Sequence, residues 1–218
     1  MSQARKRIAV FISGSGSNML ALAKACEADA FPAEIVAVFS DKLSAGGIAK
    51  AQALGIATHV FERKQYASKA EHEAAILAAL DAASPDFVCL AGYMRLLSGE
   101  FIQRYEGRIL NIHPSLLPLF PGLHTHQRAL DAGVMVAGCT VHFVTEGMDE
   151  GPVIAQSVVP ILPGDTADDL AARVLTVEHT SYPLALRLVA EGKIRMLADG
   201  KVERQTYLGD PAAKLISA

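Results

Sequence analysis

The sequence predicts an α/β protein on a doubly wound, mostly parallel sheet with an antiparallel extension in its C-terminal half. Three observations carry that prediction. The apolar run Ile8 to Ile12 opens straight into a glycine-serine loop and a helical pattern, and an unbroken apolar run is what a strand buried on both faces requires. Strand-like and helix-like segments then alternate as far as Ile109, the spacing of parallel strands joined by right-handed crossovers. Further on come two β-rich runs, Gly138 to Thr145 and Pro152 to Ile161, joined by Glu146 to Gly151. That connection is short enough for an antiparallel pair.

Taken in order, the first strand leads through Gly14-Ser15-Gly16-Ser17-Asn18 into a helix from Met19 to about Cys26. Glu34 to Ser40 reads as the second strand, with Asp41 as a turn residue, and Ile48 to Leu54 as a short helix. Ala57 to Phe61 is a third strand, and Tyr66 to Ala83 a helix with a buried stripe at Ala75, Ile76, Ala79 and Leu80. Phe87 to Leu90 is the fourth strand, followed by Ala91 to Leu97 and a short helix from Gly99 to Tyr105. The fifth strand starts at Ile109. Helices are expected over Leu123 to Ala132 and from Asp165-Thr166 to Ala190, then a small hairpin from Lys193 to Tyr207 around Asp199-Gly200 and a loosely docked tail after Gly209. No internal repeat or linker breaks the pattern, so residues 1–218 read as a single domain.

Composition narrows the function classes. The chain has 218 residues, 51% hydrophobic, and a net charge of −3, which argues against a nucleic-acid surface with its clustered basic excess. Cys26, Cys89 and Cys139 are far apart and odd in number, as reduced core residues of a cytoplasmic protein would be. No apolar run reaches the length of a membrane span. The expectation is a cytoplasmic protein without membrane or nucleic-acid partners.

Three stretches carry chemistry. In the first, Gly14 and Gly16 allow close backbone approach to a ligand, and the following helix start offers unpaired N–H groups. Ser15, Ser17 and Asn18 add side-chain donors, so the loop suits a phosphate, unless it is simply a turn capped by Ser17 or Asn18. Met19 stands where a dinucleotide fingerprint needs its third glycine, which favours a mononucleotide or sugar phosphate over NAD. In the second stretch, Asn111 and His113 lie two apart at the end of a strand and therefore point the same way. Pro114 then stops further strand pairing. The third is the acidic loop at Asp149, where a carboxylate near an imidazole orients it and favours its protonated form. Glu146 and Glu150 compete for that part. His113, His124, His126 and His142 show no zinc-hydrolase arrangement, so no metal is expected.

ISGSGSN, AGYMRLLS, NIHPSLLPLFPGLHTH, VHFVTEGMDEGPVI and RVLTVEHTSYPLA, in that order, make the chain resemble the phosphoribosylglycinamide formyltransferases of the folate-dependent formyltransferase superfamily. The likeness runs from Ile8 to about Leu188. It implies a Rossmann-like formyltransferase fold and transfer of a formyl group from 10-formyltetrahydrofolate, as co-substrate, to the amine of glycinamide ribonucleotide. It also implies Asn111, His113 and Asp149 as the catalytic trio. Substrate would be held by Gly14, Ser15, Gly16, Ser17 and Asn18 at the phosphate, Glu178 at the ribose and Pro114 beside the amine. The folate would enter between Met94, Arg95, Leu96 and Leu97 and the loop Thr145, Glu146, Gly147 and Met148. Lys69 would meet its glutamate tail, keeping the charge of the family's usual arginine without the two-pronged geometry. A monomer or homodimer is expected. Three rival readings are a 10-formyltetrahydrofolate hydrolase, which has no use for a phosphate cradle, a methionyl-tRNA formyltransferase, which needs a basic surface, and a non-catalytic nucleotide-binding module.

Overall fold

The structure is a computed structural model that describes residues 4–206. Among these, β1 (Lys6–Ile12), β2 (Ala33–Ser40), β3 (Ala57–Val60), β4 (Phe87–Leu90), β5 (Ile109–His113), β6 (Val136–Phe143) and β7 (Val153–Pro160) form one sheet. Its order is β3-β2-β1-β4-β5-β6-β7. The pairings from β3 through to β5 are parallel, and β6 runs antiparallel to both β5 and β7. Both the doubly wound core and the antiparallel extension are present.

Alternation along β1 assigns its side chains to the two faces. Ile8, Val10 and Ile12 pack with α1 (Ser17–Cys26), α2 (Gly46–Ala53), α5 (Thr125–Asp131) and α6 (Ala167–Ala190). Ala9 and Phe11 pack on the other face with α3 (Lys69–Ala83) and α4 (Gly99–Arg104). All five are fully buried, and burying each large side chain contributes about 1.5–3 kcal/mol. On α6 the buried Tyr182 hydroxyl sits 3.1 and 3.0 Å from the carbonyls of Leu90 and Leu110, tying that helix to the end of β4 and the first half of β5.

The chain leaves β1 in one direction for β2 and β3, and returns to its other side for β4. Ligands bind outside the carboxyl ends of strands at such a reversal. Here the two loops are stitched together: Ser13 N donates to Gly92 O at 3.1 Å, and Met94 N to Ser13 Oγ at 2.9 Å.

Several boundaries differ from the sequence expectation for local reasons. Helix α3 starts at Lys69, not Tyr66, because the Ser68 side chain caps it by accepting from Glu71 N at 3.1 Å. A 3-10 turn, Arg63–Gln65, precedes it. Helix α5 starts at Thr125, because His124 takes the left-handed conformation, φ +57°. Strand β6 ends at Phe143, which puts Thr145 in the loop. The last long helix is capped reciprocally by Thr166 and Asp169. The expected hairpin is β8 (Ile194–Met196) with β9 (Val202–Arg204); Tyr207 and the tail after Gly209 lie outside the described residues.

All three cysteines are buried and free, and burial pushes the Cys89 thiol up to about 12. Among the described residues, no helix is long and apolar enough to cross a membrane.

Candidate active site

The glycine loop is built by two backbones in contact. Gly16 has φ +74°, and a methyl group on it would lie 2.7 Å from Gly47 Cα. Gly47 N donates to Gly14 O at 3.0 Å, so the start of α2 braces the loop from behind. Gly16 is the N-cap residue of α1, and no side chain caps that helix. The turn capped by Ser17 or Asn18 is therefore not what forms. The first N–H groups of α1 are left without a side-chain cap, and such a helix start is chemically suited to an anion.

Asn18 turns instead to α6, where its Nδ2 donates to Glu178 Oε2 at 2.6 Å. Both residues are buried. Burial raises the Glu178 carboxyl above its ordinary value, and the Asn18 hydrogen bond pulls the other way. Asn18 Oδ1 is buried without a hydrogen-bond partner.

At the end of β5, Asn111 and His113 reach one cavity of about 570 Å³, as their spacing predicts. Pro114, Met94, Arg95, Leu96, Asp149, Asn18 and Glu178 also line it. Asn18, Gly92 and Met94 are shared with a hollow of about 240 Å³ over Ser13 to Asn18, so the space runs on to the glycine loop.

His113 is held from two sides. Its Nε2 is 3.1 Å from Phe120 O, and its Nδ1 is 3.4 Å from Asp149 Oδ2. A carbonyl can only accept, so Nε2 carries hydrogen. The Asp149 carboxylate faces Nδ1 as a close charge contact. Asp149 is itself oriented: its backbone has φ +56°, and its Oδ2 accepts from Gly122 N at 2.8 Å. Glu146 and Glu150 are placed elsewhere, with the carboxylate of Glu146 against Gly99 and that of Glu150 folded over Gly147.

His142 is the group that sequence reasoning missed. It pairs directly across from Asn111 on β6, and its Nε2 is 3.1 Å from Asn111 Nδ2 and 3.9 Å from Asp149 Oδ1. Burial lowers its pKa. In the sequence it stood only as a candidate metal ligand inside an apolar strand; the signal for its place was the antiparallel pairing, which puts opposite residues on one face.

On the other side of Asn111, a recess of about 290 Å³ lies between Arg95, Leu96 and Leu97 and the loop Thr145 to Asp149. A further one of about 300 Å³ runs past Met94 to Lys69, Arg63 and His72. Met94 and Leu96 are 60% and 66% exposed, which excludes core packing for them, whereas Leu97 packs partly against Phe11 and its neighbours. Lys69 Nζ lies 3.7 Å from Glu73 Oε1. Asp41, read from sequence as a turn residue, is buried and accepts from Arg95 Nε at 2.7 Å. It anchors the 94–97 loop. Among the described residues, no group of three or more His, Cys, Asp or Glu is arranged to hold a metal.

The model of the formyl transferase family matches residues 6–186. The phosphoribosylglycinamide formyltransferase of Escherichia coli (strain K12) is 47% identical over 189 residues, covering 87% of this chain and 89% of that protein. A crystal structure of phosphoribosylglycinamide formyltransferase from Brucella melitensis shares 64% identity with a TM-score of 0.86, over 98% of this chain and all of that one. The trifunctional purine biosynthetic protein adenosine-3 of Gallus gallus is 47% identical over 196 residues, 90% of this chain; the chain spans only 20% of that relative's length. The chain thus belongs to the formyl transferase family, among its phosphoribosylglycinamide formyltransferases.

Proposed function

We propose that the chain transfers the formyl group of 10-formyltetrahydrofolate to the amine of glycinamide ribonucleotide, a step of purine synthesis. The observation that carries this reading is the convergence of Asn111, His113 and Asp149 in one cavity that extends to an uncapped helix start. A hydrolase needs only the first half of that arrangement, and a nucleotide-binding module only the second.

The phosphate lies on the N–H groups from Gly14 to Asn18, and the ribose hydroxyls meet Glu178. Pro114 flanks the amine. The pterin occupies the recess between Arg95-Leu96-Leu97 and Thr145 to Met148, with its glutamate tail toward Lys69. The amine nitrogen attacks the formyl carbon, and the carbonyl π electrons move onto oxygen. Asn111 Nδ2 donates to that oxyanion, and the His113 imidazolium stabilises it. To do so, the His113 Nε2–H exchanges the Phe120 carbonyl for the formyl oxygen. Collapse breaks the bond from carbon to N10 of the folate, and N10 takes up the proton that the amine loses, carried by His113 or a water. The products are the formylated ribonucleotide and tetrahydrofolate. Asp149 acts through His113 by orienting the ring and favouring its charge.

The test mixes the protein with 10-formyltetrahydrofolate, with and without glycinamide ribonucleotide, and follows deformylated folate. Folate is deformylated only when the ribonucleotide is present. Equal rates without it would make the protein a hydrolase, and no deformylation in either mixture would leave a binding module.

A further inference from the structure

We infer that His142 is a positioning residue for this site: as the Nδ1–H tautomer, it accepts a hydrogen from the Asn111 carboxamide nitrogen and thereby decides which end of that carboxamide faces the formyl group. The inference rests on the reading of Asn111 as the oxyanion donor.

An amide oxygen and an amide nitrogen are nearly the same size, so packing around Asn111 does not choose between them. The partner does. His142 stands opposite Asn111 in the β5–β6 ladder, and its side chain is 3% exposed. Its Nδ1 is 2.9 Å from Phe143 O. That carbonyl can only accept, so Nδ1 carries the hydrogen, and a neutral imidazole has only one. Nε2 is then bare, 3.1 Å from Asn111 Nδ2. A bare ring nitrogen attracts an N–H and repels a carbonyl oxygen. The carboxamide is held with its nitrogen toward His142, and its second N–H is free to meet a developing oxyanion.

The surroundings protect this state. A methyl group on Gly151 would fall 1.7 Å from Phe143 O and 3.2 Å from His142 Nδ1, so the Gly151 backbone closes over the Nδ1–H bond. Two charged or titratable groups face the ring. Asp149 favours a second proton, but its Oδ1 is 3.9 Å from Nε2, beyond hydrogen-bond reach. His113 opposes a second proton, and burial opposes it more strongly than either neighbour acts. A proton on Nε2 would set donor against donor, turn the carboxamide around and withdraw the N–H from the formyl oxygen.

Two measurements on the full chain test this. Long-range proton–nitrogen correlation spectra near neutral pH should show His142 with hydrogen on Nδ1 and none on Nε2. In steady state, His142→Gln offers an oxygen that can accept from Asn111, and its kcat should stay within about tenfold of the parent, whereas His142→Leu should lose about a hundredfold with both KM values nearly unchanged. Hydrogen on Nε2 in a parent that transfers formyl would overturn the inference, as would equal losses for Gln and Leu. If the Leu variant fails to fold, the spectrum of the parent still decides. A parent without formyl transfer would sink the functional reading instead.

Discussion

The carboxylate of Asp149 faces the ring of His113, with Oδ2 3.4 Å from Nδ1, while Phe120 O takes the opposite ring nitrogen at 3.1 Å. The first contact aims the carboxylate at Nδ1, and the second puts hydrogen on Nε2. Replacing Asp149 with Asn would put an uncharged amide beside Nδ1 in place of the carboxylate that the proposed mechanism uses. Asp149→Asn should therefore lower kcat by about 10²- to 10⁴-fold, with KM for both substrates changed far less. Stopped-flow or steady-state rates check it; a kcat within a few-fold of the parent would remove Asp149 from the mechanism.

Asn111→Ala deletes the proposed oxyanion donor. Losing one such donor costs about 10²- to 10³-fold in turnover. Binding of glycinamide ribonucleotide, measured by calorimetry, should be nearly unchanged, because the proposed mechanism assigns it to the glycine loop and Glu178. A large loss of binding with little loss of turnover would reverse the roles assigned here.

Glu178 carries a carboxyl whose pKa is raised, first by burial. A raised folded value gives a stability share that is full below the unfolded value, near 4.5, and is lost as pH rises through the folded one. Glu178→Gln keeps an oxygen for Asn18 and removes that loss. The Tm of the variant relative to the parent should therefore increase as pH rises above the ordinary carboxyl range, while KM for the ribonucleotide worsens. A Tm difference that is flat with pH would contradict the assignment.

Burial lowers His142 and His126 below the ordinary imidazole value of 6.5. Here the sign is opposite. Their share of stability is complete above 6.5, the value the unfolded chain keeps, and falls as pH drops from there through the lower folded values, because the unfolded chain binds the protons first. Thermal melts of the parent and of His142→Gln should converge on acidification, with the parent losing more. Parallel curves would show that His142 does not stay neutral in the fold.

Gly16 has a left-handed backbone and stands against Gly47. Gly16→Ala would add both backbone strain of about 1–2 kcal/mol and a methyl group 2.7 Å from Gly47 Cα. The loop and α2 must part, and affinity for the ribonucleotide should fall well before affinity for folate does. Separate titrations with the two substrates read this directly.

Local pattern carried much of the fold into view. The buried part of β1, Ile8 to Ile12, reads as an unbroken apolar run, β4 has the bounds its sequence shows, and the same-face spacing of Asn111 and His113 follows from strand geometry alone. Features that depend on distant partners were not legible. The Asn111–His142 contact requires the β5–β6 register, and the Asp41–Arg95 pair joins residues 54 apart in sequence. The start of α5 depends on His124 adopting a left-handed backbone, which residue type alone does not announce.

The central claim is that the formyl carbon moves from folate nitrogen to ribonucleotide amine within one cavity. Carbon-labelled formyl on 10-formyltetrahydrofolate, followed by NMR during turnover with glycinamide ribonucleotide, tests it most directly. The account predicts that the label appears as the formamide of the ribonucleotide, in step with tetrahydrofolate. Label released as formate while the ribonucleotide stays unmodified would contradict it.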